Sequence, residues 1–166
     1  SGFVGGDGPT HHGVFDIGFL STMPNLTIMA PRDSYELTKM VEFSHTFSKP
    51  LAIRYPRGKA IELEYNRNSN LLEWEWLNDE SDIAIVAVGK MVELALEIKN
   101  YLNSLGIKLS VINARCIKPM DVFSIQKLAS KMNYIFSIED HVYSGGFGAQ
   151  LSQKLFYNDY NNKFKA

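Results

Sequence analysis

The chain has 166 residues, 45% of them hydrophobic and 21% charged, with a formal net charge of −1. That is the composition of an ordinary water-soluble domain or of two small ones, and the near-neutral charge gives no footing for a nucleic-acid partner. A single cysteine, Cys116, excludes an internal disulfide and fits a reducing cytoplasmic setting. No apolar run approaches the ~18 residues of a membrane span, and the first residues lack the basic and apolar regions of a signal peptide.

In chain order, the first feature is Gly6-Asp7-Gly8-Pro9-Thr10-His11-His12-Gly13-Val14-Phe15-Asp16. It is almost devoid of apolar residues, so core packing does not account for it. Glycine and proline place it on a turn, while Asp7, His11 and His12 bring groups that can exchange hydrogen bonds or protons near neutral pH. Its nearness to the first residue leads us to expect that part of the protein lies outside this chain. The bland alternative is turn chemistry alone.

Leu26–Ala30, between two prolines, predicts a buried strand. Asp33 or Ser34 caps a helix carrying Leu37, Met40, Val41 and Ser44 at helical spacing, ended in the region of Pro50. Leu51–Tyr55 predicts a second strand, closed by Pro56-Arg57-Gly58. Residues 59–70 are polar and read as a linker, and Leu72–Leu77 as a half-buried edge strand whose Trp74 and Trp76 share one face and cover the core or a neighbour. Ile83–Gly89 is uninterruptedly apolar, as in a strand covered on both faces. A helix over about 91–105, stopped by Gly106, a strand over Ile107–Ile112, a helix over Asp121–Met132 and a strand over Tyr134–Ile138 follow. Gly145, Gly146 and Gly148 then open a helix to about Phe156. Strict alternation predicts a parallel sheet with helices on both faces. Residues 158–166 offer no clear final element, and three parallel strands would make a small sheet.

Several residues invite more than one reading. Arg54 and Arg57 at a strand end are commonly solvated or paired with carboxylates. Ser144–Gly148 follows a strand and opens a helix but lacks the dinucleotide-binding glycine spacing; tight packing with a free helix N-terminus is preferred. Glu139, Asp140 and His141 cannot all point into one site from a strand and are expected at the domain surface, near a dimer interface. Cys116 reads as a buried, inert thiol.

Residues 5–16, with Leu20, Met23-Pro24-Asn25, Met29-Ala30-Pro31 and Ile53-Arg54-Tyr55-Pro56-Arg57-Gly58, resemble the pyrimidine-binding domain of the 1-deoxy-D-xylulose-5-phosphate synthase branch of the transketolases. Ile117-Lys118-Pro119-Met120-Asp121 and Glu139-Asp140-His141 followed by Gly145-Gly146-Phe147-Gly148 resemble the transketolase C-terminal domain. The resemblance implies an α/β protein: a partial pyrimidine-binding domain over 1–58, a linker over 59–72, and over 73–166 a three-layer αβα domain with a mostly parallel sheet, truncated at its end. It implies a transferase that condenses pyruvate with D-glyceraldehyde 3-phosphate on thiamine diphosphate and Mg²⁺, as a homodimer, feeding isoprenoid, thiamine and pyridoxal synthesis. His11 would be catalytic, contacting the reacting oxygens; Asp7 would bind an acceptor hydroxyl; Arg57, helped by Arg54, would bind the acceptor phosphate. His12 stands where many relatives carry glutamine.

The resemblance also places the cofactor's diphosphate site, its metal ligands and the activating glutamate upstream of this chain. The expectation is therefore an acceptor half-site that binds neither thiamine diphosphate nor Mg²⁺ by itself and is inactive alone. The alternatives are the C-terminal subunit of a split transketolase and a non-catalytic dimerisation module. The strand edge left by absent neighbours is expected to be prone to aggregation.

Overall fold

The computed structural model describes residues 2–6, 8–59, 62–63, 70–157 and 164–165; Asp7 and most of the expected linker lie outside them. The chain forms α1 (Asp16–Ser21), β1 (Thr27–Met29), α2 (Ser34–Ser44), β2 (Leu51–Ile53), β3 (Glu75–Trp76), β4 (Ile83–Ala87) and α3 (Met91–Ser104). β5 (Ser110–Asn113), β6 (Cys116–Lys118), α4 (Val122–Lys131), β7 (Tyr134–Ile138), α5 (Phe147–Tyr157) and β8 (Phe164–Lys165) complete it.

Two sheets result. A three-stranded sheet has the order β2-β1-β6, with β1 parallel to β2 and antiparallel to β6. A five-stranded sheet has the order β3-β5-β4-β7-β8. Its strands are parallel except for β3, which runs antiparallel to β5 at the edge. The small sheet expected from the sequence is thus enlarged at both ends, and the tail that offered no clear element supplies the last strand. Among the described residues β2 has one neighbour, which leaves its other edge open.

β4 explains the layers. Its apolar run alternates sides, as a strand must. Ala84 and Val86 join one core with Ile112, Ile125 and Leu128 of α4, and Phe147, Leu151 and Leu155 of α5. Ile85 and Ala87 join a second core with Val92, Ala95 and Leu96 of α3. The first core also takes Ile17 of α1 and Ile28 of β1. The N-terminal segment therefore packs on the large sheet as part of one continuous apolar interior.

Helix ends follow their caps. The Asp33 carboxylate accepts from Glu36 N at 2.8 Å and starts α2, which stops at Ser44, short of Pro50. Asp121 accepts from Phe123 N and Ser124 N at 3.0 and 3.2 Å and starts α4. Its second oxygen accepts from Trp74 N at 2.9 Å, tying β3's approach to α4. Trp74 packs on Phe147, and Trp76 lies under Lys127, whose ammonium is 3.8 Å from the ring centroid. Both tryptophans thus cover the core and a neighbouring helix.

A second polar junction lies beneath α2. Glu36 accepts from Arg32 N at 2.7 Å and from Asn113 Nδ2 at 3.0 Å, and its carboxylate pairs with Arg115 at 3.2 Å. Arg32 in turn pairs with Glu75 of β3. Burial pushes the Glu36 carboxyl up, against the opposing pull of these donors and cations.

The Ser144–Gly148 turn is packing, as preferred above, but its helix N-terminus is not free. Glu139 accepts from Phe147 N and Gly148 N, both at 2.7 Å, and so caps α5. A Cβ at Gly148 would overlap Ser137 Oγ. Gly148→Ala should therefore lower the unfolding free energy by about 1–3 kcal/mol, and adding Ser137→Gly should restore more than half of the loss. Urea unfolding of the wild-type chain and the two variants checks this.

Candidate functional site

The loop singled out in the sequence is rooted by a two-way bridge. Gly2 N donates to Gly13 O at 3.1 Å and Gly13 N to Gly2 O at 2.9 Å. Between these ends, Pro9–His11 makes a single 3₁₀ turn on Gly8, whose φ of 74° suits glycine. His11 is exposed at its tip, with Nδ1 3.1 Å from Thr10 Oγ1. That contact fixes the ring and leaves Nε2 as the atom for outside chemistry. His12 turns inward: its Nδ1 accepts from Val4 N at 3.1 Å, and its ring stands edge-on to Phe3. The two adjacent imidazoles thus separate into one presented group and one anchor.

Arg57 is exposed beyond the end of β2. It lines a cleft of about 380 Å³ with Asp16, Leu20, Ile53, Arg54, Tyr55 and Pro56. A guanidinium on an open cleft of that size suits a small phosphorylated molecule.

Arg54 shares the cleft wall but not the role expected for it. It is 7% exposed. Its Nε donates to both Asp16 oxygens at 3.0 Å, Nη1 to Asp140 Oδ1 at 2.6 Å, and Nη2 to Asp140 O at 3.0 Å and Gly13 O at 3.3 Å. These carboxylates hold its pKa up against the opposing pull of burial. A guanidinium already forked between two carboxylates has little left to offer a phosphate, so Arg54 builds the wall of the site.

The expectation of a surface position for Glu139, Asp140 and His141 is corrected as well. Asp140 is 2% exposed and pairs with Arg54 and with Lys90 Nζ at 3.2 Å. The side chain of His141 is buried; its Nδ1 meets Val142 O at 2.8 Å, so Nε2 is the acceptor for Gly18 N at 3.3 Å. The three side chains do diverge, as strand geometry requires, but into a helix cap, an ion pair and a backbone anchor. Asp16, Gly13 and Asp140 were not identified as partners from sequence; the separations of 38 and 86 residues carry no local signal.

No three His, Cys, Asp or Glu side chains among the described residues converge as metal ligands. The N-termini of α2, α4 and α5 are taken by Asp33, Asp121 and Glu139. Among the described residues no helix is long and apolar enough to cross a membrane.

Comparison with known proteins places this geometry. The family model described as the transketolase C-terminal domain matches residues 72–164, and the transketolase pyrimidine binding domain matches residues 1–61. The chain belongs to the transketolase family. Among curated members, the 1-deoxy-D-xylulose-5-phosphate synthase of Natranaerobius thermophilus is 42% identical over 158 residues, 93% of this chain and 25% of the relative. That of Lachnoclostridium phytofermentans is 39% identical over 162 residues, 96% of this chain and 26% of the relative. This transketolase-family chain thus spans about a quarter of the length of the curated relatives it matches. Among solved structures, a split-gene transketolase in an inactive β4 tetramer superposes with a TM-score of 0.84 at 23% identity, covering 93% of this chain and 52% of that one. That likeness shows the shared fold.

Cys116 is fully buried and its Sγ points to Pro119 O at 3.2 Å. Burial, with the Asp121 carboxylate adding to it, pushes the thiol up to about 12. The folded state therefore holds its proton where the unfolded thiol, near 8.5, has lost it. Stability should fall as pH rises from about 9 towards 12. Iodoacetamide at pH 8 should leave native Cys116 unmodified and label it in urea, read by intact mass.

Proposed function

We propose that the complete protein condenses pyruvate with D-glyceraldehyde 3-phosphate, giving 1-deoxy-D-xylulose 5-phosphate and carbon dioxide, and that this chain supplies the acceptor side of the site. What supports the reading is an identity of about 40% to named synthases over most of the chain, together with an exposed His11 imidazole and an Arg57-lined cleft in the same chain. Thiamine diphosphate with Mg²⁺ supplies the acyl-carrying chemistry, held by parts of the protein outside this chain. The working form is a homodimer in the cytoplasm.

The division of labour follows from the chemistry. Carbon–carbon bond formation turns the acceptor's aldehyde oxygen into a hydroxyl, so a proton donor is needed there. His11 Nε2 is the group on the loop free to supply it. Asp7 takes a hydroxyl of the acceptor. Arg57 fixes the phosphate end, so binding energy far from the reacting carbon orients the aldehyde.

In the complete holoenzyme, Arg57→Ala should raise KM for D-glyceraldehyde 3-phosphate about 10-fold or more while leaving KM for pyruvate within about threefold. An unchanged acceptor KM would contradict the phosphate role. This chain alone should show no micromolar thiamine diphosphate binding by calorimetry; such binding would overturn the half-site reading.

A further inference from the structure

The large sheet has a crevice that the function above does not use. β4 lies between β5 and β7. The chain leaves β4 through α3 to β5 on one side, then returns through α4 to β7 on the other. In open α/β sheets the crevice outside the carboxyl ends of strands at such a reversal is where ligands bind. Here it is bounded by Gly89 and Lys90 after β4 and by Glu139, Asp140 and His141 after β7.

The crevice is filled by the chain itself. Arg54 enters it and donates to the side chain and carbonyl of Asp140 at 2.6 and 3.0 Å. Lys90 Nζ closes on the other Asp140 oxygen at 3.2 Å. Gly2 lies so close that a Cβ on it would overlap the Asp140 carboxylate, and its φ of 72° also demands glycine. Val142 N donates to Val14 O at 3.0 Å, and Gly18 N to His141 at 3.3 Å. Arg54 also holds Gly13 O and Asp16. Gly2, Gly13 and Val14 at the two roots of the loop that presents His11 thus meet there with Arg54 from the end of β2 and Gly18 of α1.

We infer that the C-terminal sheet uses its ligand crevice as a socket for the His11 loop, with Arg54 and Asp140 as positioning residues for His11. The inference rests on the reading of His11 given above. Arg54 takes the place of a bound ligand, and the carboxylate of Asp140 is its receptor. The C-terminal unit thereby sets the angle of the His11 imidazole.

The test uses the complete holoenzyme with Asp140→Asn, Arg54→Lys and Gly2→Ala; the last leaves every charge in place. Each should lower kcat about 10- to 100-fold, the scale of a displaced catalytic group, with KM for D-glyceraldehyde 3-phosphate within about threefold. Amide hydrogen exchange should speed up at residues 2–13 and stay unchanged in β4. Retained kcat despite faster loop exchange would overturn the proposal, as would unchanged loop exchange or exchange accelerated everywhere. Arg57→Ala reports separately on the phosphate reading. Should the complete protein form no 1-deoxy-D-xylulose 5-phosphate, the functional reading fails, and loop exchange alone decides whether the socket exists.

Discussion

A guanidinium cannot leave water unless its N–H groups are met, and the burial of Arg54 is the constraint around which the rest is arranged. Its fork reaches Asp16 at the start of α1, the Gly13 carbonyl at the loop root, and Asp140 beyond β7. Removing one partner would strand a buried charge, at a cost of about 3–5 kcal/mol. The pairing is therefore a statement about geometry more than about net stability. It obliges three distant segments to meet at one point and at fixed angles.

The apolar interior makes the same junction from below. Ile17 and Ile28 share a core with Val86, Ile112 and Phe147, so the N-terminal segment cannot shift without opening that core. The Arg32–Glu75 and Arg115–Glu36 pairs do likewise on the far side, joining α2 to β3 and to the turn after β5. Burial raises the Glu36 carboxyl against the pull of Arg115 and Arg32. Together the shared core and these pairs fasten the N-terminal segment to the transketolase-type C-terminal domain.

What was legible in the sequence was what is locally encoded. β4 announced itself by a continuous apolar run, and α3 by helical spacing and a glycine stop at Gly106. The loop stood out because a cluster of imidazoles, glycines and an acid with almost no apolar residues is not accounted for by core packing. α1 was missed because Phe15 and Phe19 stay exposed and because Gly18 hides its helical character. β6 was missed because three residues before a proline give no pattern until β1 pairs with them. The Arg54 junction was invisible for a deeper reason: a strand-end arginine looks the same whether it faces a phosphate or two carboxylates. Only the arrival of Asp140, from the other end of the chain, decides between them.

The most direct measurement is a double-mutant cycle between Arg54 and Asp140 in the complete holoenzyme, using Arg54→Met and Asp140→Asn and reading kcat for condensation. The account predicts strong coupling: the double variant should be little worse than either single one, an interaction of about 1–3 kcal/mol in the activation free energy. Losses that add within about 0.5 kcal/mol would mean that the two residues act independently, and would contradict the claim that one ion pair aims the loop.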